Sequence, residues 1–308
     1  MGIPAAVAGT SKQNKGKNIK MKIATKIVSL VSLAAVLTGS PLVAGETKTF
    51  KDKVIVEEPT KWFAANLSTG WDSLYMFRGT NMIANGAWGN TSSYGSGIYW
   101  TDLALSFNLT PNDIISIEGW MGFGTQNTSY KELDLLATYT HTFGDLALSA
   151  GYIFYYVFPT GMDLYANELN VKAAYTFHVG SGTITPSLAY YFNLGPDISS
   201  GDGLVKNASS YLLARVDGAF PIYKDIVSLA PWTALGVNFE YNPKLTSGGG
   251  VDFFNGLNNL EFGLAIPVKI NSIITVSGYG AYSYAFSNLW GTTDPSTFWG
   301  GAKVNFAF

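Results

Sequence analysis

Apolar and polar residues alternate with a period of two through most of the chain from residue 62 onward. In "ELDLLATYTHTF", Leu133, Leu135, Ala137, Tyr139 and Phe143 fall on one face, and Glu132, Asp134, Thr138, Thr140 and Thr142 on the other. Successive side chains of a strand point to opposite faces, so such a series predicts a strand with one apolar and one polar side. The pattern predicts strands over 62–78, 97–109, 114–125, 131–143, 146–158, 167–179, 183–194, 208–220, 227–241, 257–270, 273–286 and 298–308.

The connections alternate in character. Short ones, such as Gly144–Asp145, Gly180–Gly182 and Asn271–Ser272, take turns with longer stretches such as "GPDISSGDGLVKN". An even strand number with short turns at one end and long loops at the other predicts an all-β fold, a transmembrane antiparallel up-and-down barrel of about 12 strands. Both chain ends then lie on the short-turn, periplasmic side.

Charge tests this parse. Asp72/Arg78, Glu132/Asp134, Glu168/Lys172 and Arg215/Asp217 are each evenly spaced, so each pair shares a face, and it is the face opposite the apolar series. A Lys or Arg turned to lipid at mid-membrane costs about 2–4 kcal/mol, which makes the charged face the lumen. Aromatics on the other face should gather at strand ends as girdles. They do so at Phe154, Tyr156 and Phe158, at Tyr282, Tyr284 and Phe286, and at Tyr175 and Phe177. A soluble β-sandwich or lipocalin-like barrel shows the same periodicity with its faces reversed. The leader, the strand number, the girdles and the final Phe favour the membrane barrel.

Composition agrees. The 308 residues include 34 Gly, no Cys, 15% aromatic and only 13% charged residues, against about 25% charge in ordinary soluble domains. A net charge of −2 gives no footprint for nucleic acid. Without Cys there is no disulfide or thiolate metal site, and no cofactor is expected. Residues 12–26 are basic, Ile27–Leu37 are apolar, and small residues follow up to Gly45. This order predicts a signal peptide over 1–45, cleaved before Glu46, with Met21 as an alternative start. Residues 46–61 form a short periplasmic segment, in which "VIVEEP" is a candidate stopper, and 62–308 form the barrel.

The stretches "LSTGWDSLYMFRGTNM", "ELDLLATYTHTFGDLALSAGYIFYYVF" and "NELNVKAAYTF" resemble the TorF-type porin family of Gram-negative bacteria. The resemblance spans roughly 65–194 and rests most on Phe77, Arg78 and Gly79. It implies an outer-membrane barrel and carries no ligand. The alternating last strand ending in Phe308 also resembles the C-terminal signal that the outer-membrane assembly machinery reads.

The inward face carries the candidate pore lining. Its acids are Asp72, Asp102, Glu118, Glu132, Asp134, Glu168, Asp217, Glu240 and Glu261, and its bases Arg78, Lys172, Arg215 and Lys303. An acidic lumen favours cations, although the acids could equally pair with the bases and only fill the barrel. Trp100, Trp120, Tyr155, Tyr191, Tyr211, Trp232, Tyr279 and Trp299 also point inward, to hold sugars or organic cations or to narrow the lumen. The reading is a porin for passive diffusion of small hydrophilic solutes, mildly cation-selective. The alternative is a closed structural or adhesive barrel acting through its loops. Expected partners are outer-membrane lipid, the assembly machinery and the solutes; the oligomeric state is not legible. His141 and His178 are placed near turns, away from any Ser-His-acid arrangement, so no enzyme is expected.

Overall fold

The computed structural model describes residues 62–83, 97–125, 130–158, 164–195, 206–247, 251–289 and 295–308. The predicted leader, the 46–61 segment and the bulk of the 195–207 loop lie outside the described residues.

The strands are β1 (Phe63–Asp72), β2 (Met76–Phe77), β3 (Thr80–Asn81), β4 (Ile98–Asn108), β5 (Asp113–Gly124), β6 (Lys131–Phe143), β7 (Leu146–Val157) and β8 (Leu164–Tyr175). After them come β9 (Phe177–Val179), β10 (Gly182–Gly195), β11 (Ser210–Tyr223), β12 (Val227–Leu245), β13 (Val251–Lys269), β14 (Ile274–Ala285) and β15 (Ser296–Ala307). β9 continues β8 along β10 after a break at Thr176, so the wall has 12 staves. Every neighbouring pair is antiparallel, and β15 returns to β1, with Asn66 opposite Ala307 and Asp72 opposite Gly301. Closure leaves the sheet without an edge, which a lipid environment requires because it offers no partner for a bare N–H or C=O. The backbone of Phe308 extends the seam through its N–H to the carbonyl of Ala65, at 2.8 Å.

Tight turns close one end. Lys224 and Asp225 both have positive φ, 45° and 57°, as a two-residue primed turn requires. Longer connections stand at the other end.

Burial is inverted relative to a soluble protein. Glu168 and Trp120 are 0% exposed, whereas Ile117 and Leu135 are 52% and 48% exposed. Apolar residues outside and carboxylates inside suit a lipid-facing wall and exclude the soluble alternative. Aromatic clusters mark both rims. Trp62, Phe63 and Phe107 pack together at the short-turn end, and Phe154, Tyr156, Phe158 and Tyr165 at the long-loop end.

Two departures from the alternation matter. The first predicted strand, 62–78, ends at Asp72, and Leu74–Ile83 leaves the wall and enters the lumen as the β2–β3 hairpin. Tyr75, Met76 and Ile83 are buried there, each in an apolar cluster, so the segment gains more inside the barrel than as added wall. Second, β12 carries a bulge between Phe239 and Pro243, where four residues face a two-residue step of β13. The bulge breaks the period of two, and Tyr241 and Asn242 become buried in succession.

Candidate functional site

The lumen at its long-loop end is occupied by the β2–β3 hairpin. Phe77 pairs with Thr80, and Arg78 and Gly79 form the turn, with φ of 49° and 80°. A side chain at Gly79 would be doubly disfavoured: by φ, and because its Cβ would fall 2.6 Å from Cγ of Asn259. The hairpin feeds three apolar clusters. Tyr75 stacks on Trp120 and meets Tyr130 edge-on. Met76 joins Trp232, Trp299 and three alanines. Phe77 packs beside Leu136, Ile153, Tyr155 and Tyr191.

The turn is gripped by polar groups from the wall. Asn242 and Asn258 donate to the carbonyl of Arg78 at 2.9 and 2.7 Å. Asn258 also donates to Asn259 Oδ1, which accepts from the Tyr211 hydroxyl. Asn238 fixes the bulge by accepting from the N–H groups of Tyr241 and Asn242. The asparagines are buried, and each finds partners, as buried amides must.

The Arg78 side chain is more constrained still. Nη1 and Nη2 donate to Oε1 and Oε2 of Glu168 at 2.7 and 2.8 Å, a two-bond fork. Tyr155 donates to Glu168 Oε2 at 2.9 Å. The guanidinium carbon lies 4.0 Å from the ring centre of Tyr191, 4.5 Å from Tyr241, 4.7 Å from Phe77 and 5.3 Å from Tyr211. Arg78 therefore occupies an aromatic cage with a carboxylate floor.

Below and beside it the wall is acidic and aromatic. Asp72, Asp102, Glu118, Glu132 and Asp134 are buried on β1, β4, β5 and β6. Tyr130 donates to Glu132 at 2.6 Å, and Trp100 to Asp72 at 3.1 Å; Tyr279 also donates to Asp72. On the far wall, Trp232 donates to Glu261 at 2.7 Å, and Arg215 pairs with Asp217 at 2.7 Å and lies 5.5 Å from the Trp232 ring. Trp232 lies flat over Gly263, where an added Cβ would come within 1.9 Å of the indole.

The placements agree with the parity reading for Asp72, Asp102, Glu118, Trp120, Glu132, Asp134, Glu168, Arg215 and Trp232, all buried inside. Lys172 and Lys303 are partly buried wall residues, opposite Ser149 and Ser277, and Asp217 and Glu261 are also partly buried. Two residues are placed differently. Arg78 is not a wall residue, since its strand stops at Asp72 and it reaches the lumen on the hairpin. Glu240 has φ of 58° in the bulge, is 41% exposed at its side chain, and pairs with Lys206 at 2.5 Å instead of joining the lumen acids. Tyr241, Asn242, Asn258 and Asn259 are not marked by the alternation; the "NP" at 242–243 is the available sign of a broken strand period. His141 bonds Asp113 and packs on Phe143, and His178 lies exposed beside Asp145.

A closed antiparallel barrel of 12 strands, apolar outside and charged within, defines the class: an outer-membrane β-barrel of the Gram-negative type. No family model and no curated protein matches the chain. An outer membrane channel from Pseudomonas putida F1 is similar over 82% of this chain and 99% of its own, at 14% identity and a TM-score of 0.53. The NanC porin matches over 79% of this chain and 98% of its own, at 12% identity and a TM-score of 0.48. The translocator domain of the autotransporter NalP from Neisseria meningitidis covers 95% and 97%, at 13% identity and 0.43. The first of these shares the fold; the two lower scores carry no further argument.

Proposed function

We propose that this protein is an outer-membrane channel for passive diffusion of small hydrophilic solutes, mildly cation-selective, whose lumen is closed at rest by residues 74–83. The observation that carries the reading is the independence of the closing segment from the wall. β1 pairs with β15 and β4 up to Asp72, so withdrawing the hairpin breaks no rung of the barrel ladder. Among the described residues it is held by side-chain contacts, chiefly the Arg78–Glu168 ion pair, the asparagine bonds, the aromatic rings around Arg78 and apolar contacts. The excess of lumen acids over bases supports the cation preference. The TorF-type resemblance supports the same reading, because its Phe77–Arg78–Gly79 is the tip of the closing hairpin. Phe308 serves on this view as the residue read by the assembly machinery, and the chain has no catalytic role.

Planar-bilayer recording tests the proposal. The wild-type protein should show rare openings, and a variant with residues 74–82 replaced by a short Gly-Ser linker should conduct steadily. A linker variant that folds and does not conduct would sink the channel reading. The lumen would then be closed by the wall's own Trp100, Trp120, Trp232 and Trp299, all buried, and the structural or adhesive barrel would take its place.

A further inference from the structure

We infer that the cage around Arg78 is a guanidinium-binding site of the barrel wall, filled at rest by the chain's own arginine, and that small guanidinium solutes compete for it and release the hairpin. The release half rests on the gated-channel reading above; the binding half does not.

The argument begins with which element supplies which group. Glu168 comes from β8, Tyr155 from β7, Tyr191 from β10, Tyr211 from β11 and Tyr241 from β12. Only Phe77 and Arg78 come from the hairpin. The wall thus holds a carboxylate and four tyrosines in place without help from the segment that occupies them. Tyr155 fixes Glu168 Oε2 at 2.9 Å, so the carboxylate keeps an anchor when Arg78 leaves. The bulge in β12 turns Tyr241 inward, and Asn238 pins that bulge through two backbone bonds.

The chemistry of the cage selects its occupant. Two parallel bonds at 2.7 and 2.8 Å to one carboxylate match the planar fork of a guanidinium, which an ammonium cannot reproduce. Wall tyrosine rings centred 4.0, 4.5 and 5.3 Å from the guanidinium carbon accept a flat, weakly hydrated cation. Arg78 is tethered, so its effective concentration is on the order of millimolar. A soluble competitor must reach that range, which sets the working concentration of the test.

Methylguanidinium chloride at millimolar concentration is the probe, with methylammonium and potassium chloride as controls. Arg78→Ala empties the cage. The refolded variant should bind methylguanidinium saturably, read as a tryptophan or tyrosine fluorescence change, at least tenfold more tightly than methylammonium. Adding Glu168→Gln to that variant should abolish the binding. In bilayers the two proteins should respond with opposite sign: methylguanidinium refills the cage and closes Arg78→Ala, but competes with the arginine and opens the wild type. Arg78→Lys keeps the charge without the fork, so it should open at about tenfold lower methylguanidinium than the wild type. Absence of saturable binding by Arg78→Ala, or binding that survives Glu168→Gln, overturns the site. Saturable binding with no effect on wild-type current, in a protein whose linker variant conducts, overturns the release. If the linker variant is silent while Arg78→Ala binds, the channel reading fails and the guanidinium site stands.

Discussion

Replacing Glu168 with Gln isolates the ion pair from everything else that holds the hairpin. The substitution keeps the side chain's size and one acceptor and removes its charge. Arg78 and Glu168 expose only 7% and 1% of their side chains, so the arginine left behind is a buried cation without its counter-charge. Breaking a buried pair from one side costs about 3–5 kcal/mol. The rings around the guanidinium remain in the variant and do not offset the loss, since they stabilise it equally before and after. At about 1.4 kcal/mol per tenfold change, even the lower bound shifts the balance of seated and released hairpin roughly a hundredfold toward release. Single-channel recording reads that shift as open probability. Urea unfolding of the barrel in detergent should barely move, because no strand pairing is lost. Pairing Arg78→Met with Glu168→Gln removes both charges, and should recover part of the closed population relative to Glu168→Gln by itself. An unchanged open probability in Glu168→Gln, or a double variant more open than either single one, would refute the reasoning.

Gly263→Ala places a methyl where the Trp232 indole lies, 1.9 Å from the ring, and should cost about 1–3 kcal/mol by overpacking, measured as a lower urea midpoint. Leu135→Arg puts a cation on the lipid face and should cost about 2–4 kcal/mol in a bilayer, with far less effect in detergent; equal effects in both would argue against the assigned outward face. In the hairpin-replaced barrel, the zero-current potential across a KCl gradient should show a modest preference for K⁺, reduced when Glu132 and Asp134 are changed to Gln and Asn. Chloride preference there would contradict the assigned lumen.

The wall was legible because lipid enforces it. A one-residue slip would turn Glu118, Asp134 and Arg215 toward hydrocarbon, so the parity of those charges determines which face is inside. What defeated the alternation was the interior, where no such penalty operates. Leu74, Tyr75, Met76 and Phe77 form an unbroken apolar run before Arg78, and the segment leaves the wall after Asp72. A short apolar run without a period of two does not separate a stave from a hairpin buried among aromatics. The sign was the "RG" at 78–79, where positive φ at both positions makes a tight turn. Glu240 failed for a related reason. Its parity with Trp232 and Asn238 holds only until the bulge, within which the positive φ of Glu240 breaks the alternation.

The hairpin also orders events in the making of the barrel. It follows β1, so it is synthesised early, but its socket is assembled from strands made much later. The bond to Glu168 spans 90 residues, and those from Asn242 and Asn258 to Arg78 span 164 and 180. Contacts of such long range form late, after the intervening chain is in place. Seating the hairpin therefore reports that the socket strands, β7 through β13, have come together. In a chain stalled before β13, Tyr75, Met76 and Phe77 have no interior to enter and remain an apolar flag at the edge of an unfinished sheet. Protease cleavage within residues 74–83 should mark such intermediates and disappear when the socket is complete.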